Sequence, residues 1–294
     1  MDRRKFLTHS ALATAGIAAS NKLLSKAFDD RIKTFGFQAY TVRDVIYKDM
    51  AGTLKKLRKA GFDYMEGFDF ANGKLLGKPV AEAKKAIEKS KIELKSIHVM
   101  TGAAAPKMKG TMINDWQMAV DQAAELGAKY IVCAYLMDFE RKSIDQYKEL
   151  SELFVKCGEV AQKSGIQFCY HNHEFEFVEL EGQIPMDVIL SNTDAFNVKL
   201  ELDIYWTRFA EVDPIKFFND NRGRIPLWHV KDLSLDEGRP MTEVGNGIID
   251  WKQIFRHQTD SGMQNFFIEQ DRNFAVDSVS SLETSIDYLK KMSY

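Results

Sequence analysis

Two patterns alternate along the chain from about residue 33. Short runs rich in apolar and β-branched residues recur at Thr34–Tyr40, Tyr64–Glu66, Leu94–Val99, Tyr130–Tyr135, Ile166–Tyr170, Val198–Asp203, Ile225–Val230 and Phe266–Glu269. That is the composition of buried strands. Between them lie amphipathic stretches that predict helices over Met50–Ala60, Val80–Lys89, Asn114–Leu126, Ile144–Lys163, Met186–Leu190, Pro214–Asn219, Trp251–Gln258 and Ser280–Lys291. Gly61, Gly127 and Gly165 close three of these, and Pro214 suits the first turn of another. Eight strand–helix units follow one another with no Pro/Gly/Ser-rich linker between them. Such alternation predicts a parallel sheet with right-handed crossovers, and eight units predict a closed α/β (β/α)8 TIM barrel, a single domain over residues 33–294. The competing architecture is an open doubly wound sheet. Gln38-Ala39-Tyr40-Thr41 stands where that fold would carry a glycine-rich phosphate loop, so dinucleotide binding is not expected.

Residues 1–20 do not fit the alternation. Met-Asp-Arg-Arg-Lys-Phe-Leu opens the chain and the small-residue run Ala11–Ala19 follows. A charged start, a short apolar middle and an alanine-rich end predict an export signal, and Arg3-Arg4 ahead of Phe6-Leu7 resembles the twin-arginine type. The run is too short to span a membrane. A periplasmic or otherwise exported destination is the expectation.

Composition narrows the function. With 45% hydrophobic residues the 294-residue chain can fill one large core. The formal net charge is −2 and no basic stripe is visible, so nucleic acid is not an expected partner. Cys133, Cys157 and Cys169 are far apart, form no CxxC and read as buried free thiols.

The ends of the later strands are polar. The fifth runs into His171-Asn172-His173, whose two imidazoles fall on one side of an alternating strand. The sixth ends in Asp203, the seventh in His229 with Lys231 and Asp232, and the eighth in Glu269. Each alone has a structural explanation: Asp203 as a cap, His229 as a satisfied core histidine, Glu269 paired with Arg272. In a barrel, however, these ends converge on one mouth. Imidazole and carboxylate donors there suit one divalent metal ion, Mn, Co, Fe or Zn, with Mg less favoured. The candidate ligands are His171, Asp203, His229 and Glu269, with His173 as the alternative to His171.

With these segments in view, the chain resembles the sugar isomerase/epimerase family of the xylose isomerase-like TIM barrel superfamily. The resemblance is carried by Gln38-Ala39-Tyr40-Thr41-Val42-Arg43, His98, Tyr170-His171-Asn172-His173, Leu202-Asp203, His229-Val230-Lys231-Asp232, Gly245-Asn246-Gly247-Ile248-Ile249-Asp250-Trp251 and Ile268-Glu269-Gln270-Asp271. It implies one divalent cation held by a glutamate, an aspartate, a histidine and a glutamate on the fifth to eighth strands. Asp203, His229 and Glu269 match the last three, whereas His171 stands where the first glutamate is usual. The family's ketose epimerases work with two glutamates on opposite faces of the substrate, and many carry a histidine where this chain has Trp206. Both departures bring a dehydratase into competition, as in the inosose dehydratase-like members.

The chemistry implied is proton abstraction next to a carbonyl, with a metal stabilising the enediolate. Three classes follow: a sugar isomerase or epimerase, a carbon–oxygen lyase acting on a keto-sugar, keto-glycoside or inosose, and a non-catalytic sugar-binding barrel. Glu269 is the first choice of base, His171 a second catalytic candidate and Lys231 an oxyanion stabiliser. His98, Glu174, Glu176, Trp206, Tyr40 and Arg272 are candidate substrate contacts. Glu174 and Glu176 could instead orient an imidazole. Phe70 joins Tyr40 and Trp206 as a surface for a sugar ring, and Arg43 joins Arg272 as a partner for a carboxylate or phosphate. An endonuclease of related fold would need a basic groove and more metal ligands than six histidines and a negative charge supply. The expected partner is a small carbohydrate, with no membrane span; a homodimer is compatible with the sequence.

Overall fold

A computed structural model describes residues 31–294; the segment 1–20, expected from its sequence to be an export signal, lies outside them. Eight parallel strands close into a barrel: β1 (Gly36–Gln38), β2 (Tyr64–Gly67), β3 (Glu93–Val99), β4 (Tyr130–Cys133), β5 (Gln167–His171), β6 (Val198–Asp203), β7 (Leu227–Val230) and β8 (Asn265–Ile268). Each neighbours the next in sequence, and β8 closes on β1 with Gly36 beside Phe267 and Phe37 beside Ile268. The outer layer is α1 (Met50–Ala60), α2 (Val80–Ser90), α3 (Trp116–Glu125), α4 (Ile144–Lys163), α5 (Pro185–Asn192), α6 (Pro214–Asp220), α7 (Trp251–Arg256) and α8 (Ser278–Lys291). The closed barrel settles the choice against an open sheet.

Local chemistry explains the helix limits. The Asp49 carboxylate accepts the Gly52 amide at 2.8 Å to start α1, and Gly61, at φ +109°, ends it in a left-handed conformation open to glycine. In α4 the buried positions Ile144, Tyr147, Leu150, Ser151, Phe154, Cys157, Gly158 and Ala161 follow the helical repeat. Gly158 is required by packing: a Cβ there would lie 2.3 Å from the Asn197 carbonyl oxygen.

Three features were not legible in the pattern. A small antiparallel sheet, Phe70–Ala71, Lys74–Leu75 and Lys78–Pro79, follows β2; a two-stranded ribbon, Asp232–Leu233 with Met241–Thr242, follows β7; and a short helix, Ile204–Phe209, follows β6. Strands of two residues are too short to show a period.

The barrel interior is layered. Tyr64, Val132, Cys169, Leu227 and Phe267 form a separate apolar cluster inside it. The alternate strand residues, among them Phe168, Tyr170, Trp228, Phe266 and Ile268, belong to the larger core under the helices. Side chains two apart on a strand share a face. Tyr64, Cys169, Leu227 and Phe267 are therefore followed, one step toward the C-terminal mouth, by inward Glu66, His171, His229 and Glu269. The same step on β6 carries Glu201 and Asp203 inward. The apolar plug thus supports a polar floor. All three cysteines are free and buried.

Candidate active site

The floor is built around His229, whose side chain is fully buried and engages carboxylates through both ring nitrogens. Nδ1 lies 2.6 Å from Glu269 Oε2, and Nε2 lies 2.6 Å from Glu66 Oε2 and 3.2 Å from Glu201 Oε2. His98 Nε2 lies 2.7 Å from Glu201 Oε2 and 3.0 Å from Glu66 Oε2. His171 Nδ1 meets the same Glu201 oxygen at 3.0 Å, while its Nε2 is 3.7 Å from Asp203 Oδ2. Gln38 completes the ring by donating to Glu66 Oε2 at 2.7 Å.

Lys231 reaches over this floor. Its ammonium is 2.7 Å from Glu269 Oε2, 3.0 Å from Asp203 Oδ2 and 3.3 Å from Asp271 Oδ2. Adjacent Asp232 points elsewhere. Asp232 accepts the amides of Leu233 and Gly245 and the Trp251 indole, each at 2.8 Å, and the Ile249 amide at 3.2 Å. A Cβ on Gly247 would lie 2.2 Å from Asp232 Oδ1, so the Gly-Asn-Gly stretch wraps that carboxylate and serves the fold.

Burial and charge sort the protonation states. Burial opposes charge on His98, yet Glu66 and Glu201 raise it to about 9. His229 is raised in the same way by Glu201 and Glu269. His171 moves the other way: burial, then the charge of His229, holds it well below its usual value. His173 is lowered to about 3 by burial and Lys231. A neutral His171 that gives its Nδ1 proton to Glu201 keeps a lone pair on Nε2, facing Asp203. Burial raises Asp203 and Glu201 above the ordinary carboxylate range, and lifts Asp271 to about 6.

The fit of the donors to a divalent cation rests on the floor itself. Ligand atoms of Asp203, His229 and Glu269 all lie within 4.8 Å of one another. A second set, His98, His171, Glu201 and His229, lies as close together one step deeper. Glu66 Oε1 and Glu201 Oε1 are buried without a hydrogen-bond partner, and Asp203 Oδ2 has only ion-pair contacts, with Lys231 at 3.0 Å and His171 at 3.7 Å. Hard oxygens plus imidazole, with an excess of buried carboxylates, fit such an ion. On this geometry His171 belongs to the deeper set and reaches Asp203 only at 3.7 Å. His173 stacks on Phe175 and lies against Tyr135, outside both sets.

A cavity of about 750 Å3 opens above the floor, lined in part by His98, His171, His173, Lys231, Glu269 and Asp271. Tyr40, Phe70, Trp206, Arg43 and Arg272 also line it. Glu174 and Glu176 do not. Glu176 is turned into the protein, where its carboxylate accepts the Tyr170 hydroxyl and, at 2.7 Å, the His173 amide. It braces the loop that carries His173 and does not reach a sugar. Sequence reasoning missed Glu66, Glu201 and Gln38. The signal was present in the i, i+2 step from Tyr64 to Glu66 and from Glu201 to Asp203.

Comparison with known proteins gives a consistent outline. The family model for the xylose isomerase-like TIM barrel matches residues 54–292. The inosose dehydratase of Lacticaseibacillus casei is 28% identical over 146 residues, 43% of this chain and 48% of that protein. That of Geobacillus thermodenitrificans is 24% identical over 179 residues, 50% of this chain and 59% of that protein. The matched stretch therefore spans about half the length of these relatives. A sugar phosphate isomerase/epimerase from Parabacteroides distasonis superposes with a TM-score of 0.76 at 25% identity, covering 89% of this chain and 99% of that one. A xylose isomerase-like barrel from Mycobacterium smegmatis in complex with magnesium superposes with a TM-score of 0.64 at 16% identity, covering 90% and 97%.

Proposed function

The chain belongs to the xylose isomerase-like TIM barrel family, and from that premise we propose that it is a metal-dependent sugar isomerase or epimerase working by proton abstraction next to a carbonyl. The observation that carries this reading is the buried Asp203–His229–Glu269 triad beneath Lys231 at the base of the cavity.

Asp203, His229 and Glu269 would hold the ion, with Glu66 fixing the far nitrogen of His229. When bound, the ion supplies a Lewis acid for the substrate oxygens. Glu269 uses Oε2 toward His229 and Lys231, which leaves Oε1 to take the α-proton. The Lys231 ammonium stabilises negative charge developing on oxygen beside it. Neutral His171 offers a second proton-transfer site through Nε2. His98, held by Glu66 and Glu201, fixes a hydroxyl from the β3 side, with Trp206 and Tyr40 against the ring. A carbon–oxygen lyase is the second reading. It is favoured by His171 standing where a second carboxylate base would be needed, and by the resemblance to inosose dehydratases.

The test is deuterium uptake at the α-carbon of keto-sugars and inososes in D2O, with ultraviolet detection of eliminated product. Glu269→Gln is expected to lose uptake by at least 100-fold. Uptake without elimination supports the isomerase, and uptake with elimination the lyase. Full uptake by Glu269→Gln would refute the assignment of the base.

A further inference from the structure

The cavity is larger than the chemistry needs. At roughly 15–20 Å3 per non-hydrogen atom in a close-packed medium, a free hexose of about a dozen such atoms fills on the order of 200 Å3. The cavity measures about 750 Å3. Its reactive groups, His171, Lys231 and Glu269, stand at the ends of β5, β7 and β8. The opposite wall rises from the segments after β1, β2 and β3 and is of different character.

That wall is an aromatic shelf. Phe68 is its centre, edge-to-face with Tyr40 at 5.2 Å and with Tyr47 at 5.7 Å between ring centroids. Phe70, Met100 and Met108 extend it. Tyr40 and Tyr47 are 39% and 41% exposed, high for rings that line a cavity. Polar groups stand at its rim. The Tyr47 hydroxyl donates to Asp69 at 2.8 Å, and the Arg43 guanidinium lies 4.1 Å over the Tyr40 ring. Apart from Tyr40, which lies at the side of the reacting ring, proton transfer at the floor makes no use of this shelf. Flat apolar surface with hydrogen-bonding groups at its edge matches a ring that has an apolar face and a polar perimeter.

We propose that the substrate is a glycoside: a keto-sugar whose oxidised ring sits over the polar floor and which carries, through a glycosidic oxygen, a second ring lying on the Phe68–Tyr47 shelf. The second ring is a pyranose or an aryl group, since both present a flat face to the shelf. This rests on the function proposed above and adds the substrate class to it. A free sugar would leave the shelf wet.

Calorimetric titration tests the shelf without chemistry, using glucose, methyl glucoside, phenyl glucoside and cellobiose as unreactive probes. At least one two-ring probe is expected to bind ten-fold tighter than glucose and methyl glucoside. Phenyl glucoside alone would identify an aryl group, and cellobiose a sugar. Tyr47→Ala, at an exposed position, and Phe68→Ala are expected to remove that preference and leave glucose affinity unchanged. Equal affinity for one-ring and two-ring probes, no measurable binding of either two-ring probe, or an equal loss for all probes in the variants would overturn the proposal. Deuterium uptake by keto-glucose and its glycosides separates the two readings. Preference without uptake refutes the proton-transfer function, and uptake without preference refutes the second-ring site.

Discussion

Replacing Lys231 by methionine removes the ammonium from among three carboxylates and keeps the side-chain length. In the wild type that ammonium lies within 3.3 Å of Glu269, Asp203 and Asp271 and is almost fully buried. Without it Asp271 loses its ammonium partner, and Asp203 and Glu269 are left with the His229 imidazole alone as a neighbouring cation. Removing one partner of a buried ion pair costs about 3–5 kcal/mol. With an unfolding slope of about 3 kcal/mol/M for a chain of this size, the urea midpoint in chelator falls by roughly 1–1.7 M. A divalent ion is expected to restore much of the loss, because the same oxygens then have a counter-charge. At a hundred times its Kd, a bound ion stabilises by about 2.7 kcal/mol. The metal-induced rise in midpoint is therefore larger in Lys231→Met than in the wild type, where ammonium and ion share Asp203 and Glu269. The assay is urea unfolding followed by tryptophan fluorescence, in EDTA and in Mn2+ or Zn2+. An unchanged midpoint in EDTA, or an equal metal response in both proteins, would refute the reasoning.

Burial raises the Glu176 carboxyl from 4.5 to about 7. A folded value above the unfolded one means that stability is fullest below pH 4.5 and is lost as pH climbs to 7. The shift corresponds to about 3 kcal/mol, so Glu176→Gln should lack that fall between pH 5 and 8 in denaturant titrations; parallel pH profiles would exclude it. We also propose that residues 1–20 direct twin-arginine export. Changing Arg3 and Arg4 together to lysine should leave the precursor uncleaved inside the cell, read by fractionation and intact mass; unchanged export would dismiss that signal.

The barrel was legible because its strands and helices are long enough to show their periods. Ile144–Lys163 and Val198–Asp203 have the bounds that their patterns predict. The site was legible only on the side where polar residues end long apolar runs: His171, Asp203, His229 and Glu269. Glu66 is the third residue of a four-residue strand, too short to mark it as anomalous, and Glu201 sits inside a strand where apolar neighbours mask it. Reading each inward series two residues at a time recovers both. Glu176 misled because it follows the histidines directly in sequence, whereas the turn Phe175–Phe177 aims it back at Tyr170.

The seam between β1 and β8 gives the polar floor a history as well as a shape. Glu269 and Asp271 follow the last strand of the barrel, later in the chain than Asp203, His229 and Lys231. Of the triad's two carboxylates, Asp203 ends β6 and Glu269 follows β8, whose pairing with Gly36 and Phe37 closes the barrel. Non-local closure of this kind is slow compared with local helix formation. The Asp203–His229–Glu269 triad is therefore complete only in a closed barrel, so any ion uptake by folding chains would report on the end of folding and not on its course.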